Sequence, residues 1–375
     1  MTNVSEKQND HFMQQALELA RQGEGHVEPN PMVGCLLVRD GEVIGQGLHE
    51  KFGGPHAEVN ALSSCDNAIG ATAFVTLEPC CHTGKTGPCS QALIQAKVTE
   101  VVVATVDPFS KVAGNGIREL EAAGIKVETG VLESAARELN SPYFKRLQTG
   151  MPWVIAKWAM TLDGKIATAS GSSKWISNEQ SREVVHRLRG RMDAIVVGIG
   201  TAIADDPMLT ARPSGPRSAL RVVVDSKATL SLESKLVATA SETPVAVAIG
   251  ADADSDASHC EQLRDLGVEV IVCDGESYSQ QLESLLKILG QRELTNVLFE
   301  GGSSIFGALN DGKLIDEVHC FIAPKFIGGN SALSAIGGEG VQQMADAEQL
   351  RDFKMQQLDT DWYLSGRTIK KTKDG

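Results

Sequence analysis

HAEV at residues 56–59 and TLEPCCHTGKTGPC at residues 76–89 decide how the first half of this chain is read. His56 and Glu58 open an apolar-periodic stretch directly after Gly53-Gly54-Pro55, so a helix begins at the histidine. Leu77-Glu78-Pro79-Cys80 closes a strand some twenty residues later, and Cys89 stands at the start of the next helix. One imidazole and two thiolates, from His56, Cys80 and Cys89, make three protein ligands for zinc. They leave a fourth tetrahedral position open, as a catalytic site requires. Glu58, two residues from the imidazole, is placed to take a proton from water at that position and deliver it to a departing amino group. His-x-Glu followed by Pro-Cys accompanies hydrolytic deamination of an amidine-like ring carbon. Helix N-termini beneath the ligands favour thiolate over thiol. Eight residues separate Cys80 from Cys89 where two are usual, which keeps Cys81 and His82 as alternative ligands. They rank behind Cys89, because a ligand adjacent to Cys80 points the wrong way.

Outward from this site, residues 11–22 put Met13, Ala16, Leu17 and Ala20 on one helical face, and residues 33–38 form a buried-strand run. Asp40-Gly41 between two apolar runs predicts a hairpin, since a type I′ turn needs positive φ at both central residues. Helices over 56–64 and 89–97 alternate with strands over 72–77 and 100–105, and a further helix and short strand fill 114–131. The alternation predicts parallel neighbours in a three-layer α/β/α domain with an antiparallel hairpin at one edge.

The chain has 375 residues, of which 42% are hydrophobic and 22% charged, a globular composition with room for two cores. A net charge of −13 without a basic run argues against a nucleic-acid groove and for a small-molecule substrate. The opening MTNVSEKQND has no apolar signal core, and no run of 18 apolar residues occurs, so no membrane partner and a cytoplasmic location are expected. Eight scattered cysteines suit a reducing compartment, and only the group at 80, 81 and 89 is dense enough for chemistry.

The segment 140–152, with two prolines and a glycine, separates two alternating patterns, and the division is placed at 1–148 and 149–375. Beyond it strands are expected at 153–160, 193–198, 220–225, 244–249, 268–272, 296–299 and 316–322, with helices at 178–190, 260–266, 278–289 and 303–310. The stretch 250–259 reads as an exposed loop. Gly198-Ile199-Gly200-Thr201 and Glu300-Gly301-Gly302-Ser303-Ser304 are glycine turns after strands, which let backbone N–H groups approach a phosphate or serve only as tight turns. Neither carries the full dinucleotide fingerprint. Asp205-Asp206 beside the first turn is either a site carboxylate pair or a helix cap.

HAEV, TLEPCCHTGKTGPC and the early PNPMVG resemble the deaminase half of the bifunctional deaminase/reductase family of bacterial riboflavin biosynthesis, which also has the eight-residue spacer. KWAMTLDGKIA, SKWIS, GIGTAIADDPMLTAR, VVVDS and FEGGS, in order over 157–304, resemble its reductase half. The resemblance implies a cytidine-deaminase-like domain followed by a dihydrofolate-reductase-like α/β domain. It implies zinc-dependent deamination of 2,5-diamino-6-ribosylamino-4(3H)-pyrimidinone 5′-phosphate, then NADPH-dependent reduction of the ribosyl ring to a ribityl chain. By motif, Asn30, His82 and Lys85 fall on the deaminase substrate, with Lys85 as a phosphate counter-charge. Ala159, Trp175, Thr201, Asp205, Ser226 and the turn Gly302, Ser303, Ser304, Ile305, Phe306, Gly307 and Ala308 fall on the nucleotide. Ser173, Arg189, Leu209, Arg212 and Glu300 fall on the reductase substrate, with both arginines on its 5′-phosphate. The family also implies a homo-oligomer, dimer or tetramer. The competing readings are a deaminase of another base or nucleoside joined to a non-catalytic nucleotide-binding module, and a structural zinc protein without activity.

Overall fold

Asp40 and Gly41 take φ of 55° and 81°, so the expected turn forms and folds β1 (Gly34–Arg39) antiparallel onto β2 (Glu42–Leu48). The computed structural model describes residues 4–82, 87–251 and 257–369 and divides into two units, Met1–Gly150 and Met151–Gly375.

In the first unit β3 (Thr72–Val75) pairs antiparallel with β1, and β4 (Glu100–Val103) and β5 (Lys126–Thr129) follow parallel, giving the order β2-β1-β3-β4-β5. One face carries Leu36, Val38, Phe74 and Val102. On it lies α1 (Val4–Ala20) through Phe12, Met13, Ala16 and Leu17. The other face carries Cys35, Leu37, Ala73, Val75, Val101 and Val103 under α2 (Ala57–Ser63), α3 (Cys89–Gln95) and α4 (Asn115–Ala122). The central strands are apolar on both sides because both faces are covered. Two further helices occur, α5 (Glu133–Leu139) and α6 (Ser141–Thr149). The second occupies the segment read as a separator: Pro142 sits in the first helical turn, where a missing N–H is harmless, and Gly150 at φ 72° ends the helix.

The second unit holds β6 (Trp153–Thr161), α7 (Glu179–Arg189), β7 (Ala194–Gly198), α8 (Ile199–Asp205), β8 (Leu220–Val224), α9 (Lys235–Ala238) and β9 (Val245–Gly250). It continues through α10 (Ala257–Asp265), β10 (Val268–Cys273), α11 (Tyr278–Gln291), β11 (Asn296–Phe299), α12 (Ser303–Asp311), β12 (Glu317–Ala323), β13 (Leu350–Leu358) and β14 (Asp361–Thr368). Its nine strands run in the order β10-β9-β8-β7-β11-β6-β12-β14-β13, parallel through β12 and antiparallel in the last hairpin. α7, α9 and α10 cover one face through Val184, Leu188, Leu236 and Leu263. α11 and α12 cover the other through Leu282, Leu286, Phe306 and Leu309. Asn178 caps α7, and Ser277 with Gln280 forms a capping box on α11.

The hairpin β13–β14 and the short α8 and α9 were outside the sequence expectation. β13 is exposed along nearly its whole length, so it shows no buried face for a period-two pattern to mark. Of the loop expected at 250–259, residues 252–256 lie outside the described residues and α10 begins at Ala257. Among the described residues no helix is long and apolar enough to cross a membrane.

Candidate active sites

His56 is the N-cap of α2 with extended backbone, and Cys89 is the first residue of α3, so two helix starts bring their side chains to the turn that leaves β3. The His56 Nδ1 lies 3.4 Å from Cys80 Sγ and 3.3 Å from Cys89 Sγ, and the three ligand atoms fall within 4.8 Å of one another. Ligands about 2.0–2.3 Å from one metal stand at about this spacing, and the imidazole and thiol donors suit zinc. The chain fits the ion. Cys81, the alternative ligand, turns its sulfur to the Lys111 carbonyl at 3.7 Å and is not in the group.

The Cys89 N–H points to Cys80 Sγ at 3.4 Å. Hydrogen bonding from Cys89, which outweighs burial, holds the Cys80 thiol down at about 4, while that shared bond and burial push Cys89 upward. Glu58 lies in the first turn of α2 and is only 3% exposed. Burial, reinforced by the Cys80 sulfur, raises its carboxyl to about 7.

Asn30 is reached through His49, a residue sequence reasoning passed over. His49 is 3% exposed, and its Nδ1 donates to the Pro55 carbonyl at 2.9 Å, which leaves Nε2 to accept from the Asn30 amide at 3.0 Å. That fixes the Asn30 side chain with its oxygen available to a ligand. Asn140 pins the same loop, accepting from the Met32 N–H at 2.8 Å and donating to its carbonyl at 2.9 Å. His82 is not a ligand: its buried Nδ1 has no hydrogen-bond partner among the described residues, and its ring lies 6.0 Å from Phe109. Lys85 lies outside the described residues.

Glu78 was also missed. Its carboxylate accepts from the N–H groups of Gly114 at 2.9 Å and Gly116 at 3.0 Å, and from Asp107 and Ile117 at 3.3 Å. It ties the turn before Cys80 to the start of α4.

In the second unit the two glycine turns leave adjacent parallel strands, β7 and β11. Gly301 and Gly302 take φ of 97° and 91°, and a Cβ at either would stand about van der Waals distance from Thr201 Oγ1, 3.5 and 3.6 Å. Among the described residues α12 has no side-chain cap, and a helix start of that kind offers first-turn N–H groups such as those of Ser303 and Ser304 to a phosphate. These features fit a dinucleotide. Ile305, Phe306 and Ala308 place their side chains in the core and offer only backbone, and Gly307 packs against the backbone of Gly337 and Gly338.

Ser173 donates to Asp205 at 3.4 Å and Lys174 pairs with it at 3.5 Å, which brings residues 173 and 174 to the C-terminal end of α8. Trp175 is 67% exposed with the Arg182 guanidinium 4.8 Å from its ring. Ser226 is exposed just past β8, and Ala159 lies on β6.

Glu300 is buried between two cations. Arg189 grips it through Nε at 2.5 Å and Nη2 at 3.0 Å, and Lys157 stands 3.4 Å away. Burial raises the Glu300 carboxyl, but the charges of Arg189 and Lys157 prevail and hold it at about 2. Lys157 is itself lowered, because burial outweighs a carboxylate it shares with Arg189. Lys157 lies two residues before Ala159 on β6, so period two alone places it on the same face. Arg189 is thus largely committed to Glu300 and the Thr210 carbonyl rather than to a phosphate alone, while Arg212 is exposed. Burial and then the charges of Arg189 and Arg212 lower His186. Leu209 is 2% exposed with φ of 51°.

A family model for the cytidine and deoxycytidylate deaminase zinc-binding region matches residues 6–105, and one for the RibD C-terminal domain matches residues 152–364. The riboflavin biosynthesis protein RibD of Actinobacillus pleuropneumoniae is 45% identical over 91% of this chain and 90% of its own length. The chain belongs to the RibD family. The RibD of Escherichia coli is 37% identical over 92% of this chain and 95% of its length. The solved RibD of Acinetobacter baumannii superposes with a TM-score of 0.85 at 39% identity, covering 97% of this chain and all 100% of that one. A deaminase/reductase structure from Thermotoga maritima gives 0.83 at 34% identity, covering 97% and 100%. RibD membership carries the expected fold, a cytidine-deaminase-like unit followed by a dihydrofolate-reductase-like one. It also carries the two expected cofactors, zinc and NADPH, and it leaves no support for a non-catalytic second unit.

Proposed function

We propose that this RibD-family enzyme deaminates 2,5-diamino-6-ribosylamino-4(3H)-pyrimidinone 5′-phosphate in its first unit and reduces the deaminated product in its second, in riboflavin biosynthesis. The observation that carries the first step is the convergence of His56, Cys80 and Cys89 beside a buried Glu58 raised to about 7. Zinc held by those three residues supplies Lewis acidity that lowers the pKa of water to about 7. Glu58, whose carboxyl is buried beside the ligands, takes a proton from water and gives it to the amino group leaving the ring, so that ammonia departs. Asn30, fixed by His49, and His82 orient the pyrimidine, and Lys85 is assigned to the phosphate.

In the second unit NADPH, when bound, supplies the hydride. Thr201, Asp205, Trp175, Ser226, Ala159 and the backbone of residues 302–308 hold the nucleotide. Arg212 and the remaining donors of Arg189, with His186, hold the substrate phosphate, and Ser173, the Leu209 backbone and Glu300 hold the sugar. Lys157, buried with a lowered pKa beside Glu300, positions the ring oxygen that accepts a proton as the ring opens.

The enzyme works in the cytoplasm on a small phosphorylated pyrimidine and not on nucleic acid, a reading supported by the charge of −13 and the eight unpaired cysteines. We assign it a homo-oligomer formed on β13, whose Phe353 and Met355 are 54% and 61% exposed at a sheet edge. Met355→Lys should lower the mass measured by light scattering; an unchanged mass would remove that interface. The catalytic reading is tested by Glu58→Gln: deamination falls at least about 100-fold with zinc content intact, and reduction of separately supplied product is unchanged. Full deamination by the variant would overturn the assignment.

A further inference from the structure

Arg221, at the start of β8, is 0% exposed, yet no carboxylate pairs with it among the described residues. Its Nη1 donates to the Met208 carbonyl at 3.2 Å and to Thr239 Oγ1 at 2.8 Å; its Nη2 donates to the carbonyls of Thr239 at 3.0 Å and Thr243 at 2.5 Å. Glu242 acts on it through charge alone; a buried cation whose hydrogen bonds all go to neutral oxygens is costly, and an aliphatic side chain would fill the same space without that cost. Guanidinium has what an aliphatic chain lacks, a rigid fan of donors that can hold several carbonyls in fixed relation.

What the fan joins is informative. Thr239 caps the end of α9 and Thr243 lies in the turn that follows it, but Met208 belongs to the loop from Asp206 to Arg212. That loop is braced at alternate residues. The Asp206 carboxylate accepts from the Lys235 N–H at 2.9 Å, the Met208 carbonyl accepts from Arg221, and the Thr210 carbonyl accepts from Arg189 at 3.2 Å. Asp206 and Leu209 both carry positive φ, 41° and 51°, a backbone region that side chains disfavour and that surroundings must hold. Leu209 and Arg212 are the loop's substrate-side residues in the function proposed above.

The geometry points to Arg221 as a positioning residue of the reductase: by clamping the Met208 carbonyl to the end of α9 it sets the conformation in which Leu209 and Arg212 meet the phosphorylated sugar. It touches neither substrate nor cofactor. This inference rests on the substrate-side assignment of that loop.

The test uses the full chain with the deaminated substrate supplied. Arg221→Lys keeps the charge but cannot span four oxygens, and Thr239→Val removes one acceptor and keeps the carbonyl. KM for the phosphorylated substrate should rise about tenfold or more in Arg221→Lys and less in Thr239→Val, since small misplacements of a binding group are felt strongly. NADPH affinity, kcat and deaminase activity should stay within about twofold. A fold-supporting role alone would instead lower the melting temperature and weaken NADPH and substrate together, and that result, or an unchanged KM, overturns the proposal. If Arg221→Lys does not fold, Thr239→Val decides by the same criteria. Arg212→Met separates the two readings: if it leaves KM unchanged, the loop does not face substrate and the assignment beneath this inference is what fails.

Discussion

Glu300, assigned above to the reductase substrate, is also a matter of stability. It is 5% exposed, and two cations that are 13% and 17% exposed depend on it for neutralisation. Its folded pKa of about 2 lies below the ordinary 4.5, so the stability it contributes is present above about pH 4.5 and is lost as pH falls toward 2. Its size, about 3 kcal/mol, follows from the shift. Glu300→Gln should therefore destabilise the second unit by about 3–5 kcal/mol at pH 7, since it strands Arg189 and Lys157, and should flatten the acid limb of the stability profile. Denaturant unfolding at pH 7, 4 and 3 checks both; a variant as stable as the parent would mean that the cations find water instead. Legibility differs sharply at this scale. His56, Glu58, Cys80 and Cys89 could be read because their chemistry is carried by close spacing in sequence. His49 and Glu78 could not, because a lone histidine at a strand end and a glutamate in a turn acquire their roles from partners such as Pro55 and Gly114 that only the fold brings near.

The turn that carries Cys80 is held from behind by α4. A Cβ on Gly116 would stand 2.0 Å from the Pro79 carbonyl oxygen, and the Gly116 N–H is one of those bound by Glu78. Gly116→Ala should push α4 off this turn, costing about 1–3 kcal/mol, and should make zinc easier to strip; chelator titration followed by metal analysis reads the effect, and parental zinc retention would show that the turn is rigid by itself. Elements with two buried faces or a strong turn signal were legible: Asp40-Gly41 gave the first hairpin, and the apolar runs gave β6 to β12. β13 was not, because its residues from Arg351 to Gln357 are exposed and polar and apolar side chains share no periodic burial. The helix α6 hid behind Pro142, a residue that breaks helices everywhere but in the first turn.

For the molecule as a whole, two units of RibD-family type on one chain give the account its order of events: the group removed at the His56 site must leave before the Glu300 site acts. Composition argued against a nucleic-acid groove, and motif order carried the pairing of activities, but the brace around Met208 and the grip of Arg189 on Glu300 were invisible without the fold. The most direct measurement supplies the diaminopyrimidinone phosphate with and without NADPH while ammonia and nicotinamide absorbance are followed together. The account predicts ammonia release in both cases and NADPH oxidation only after release has begun, with chelation of zinc abolishing both and added deaminated substrate restoring NADPH oxidation alone. NADPH oxidation that precedes ammonia, or that survives chelation with the original substrate alone, would contradict it.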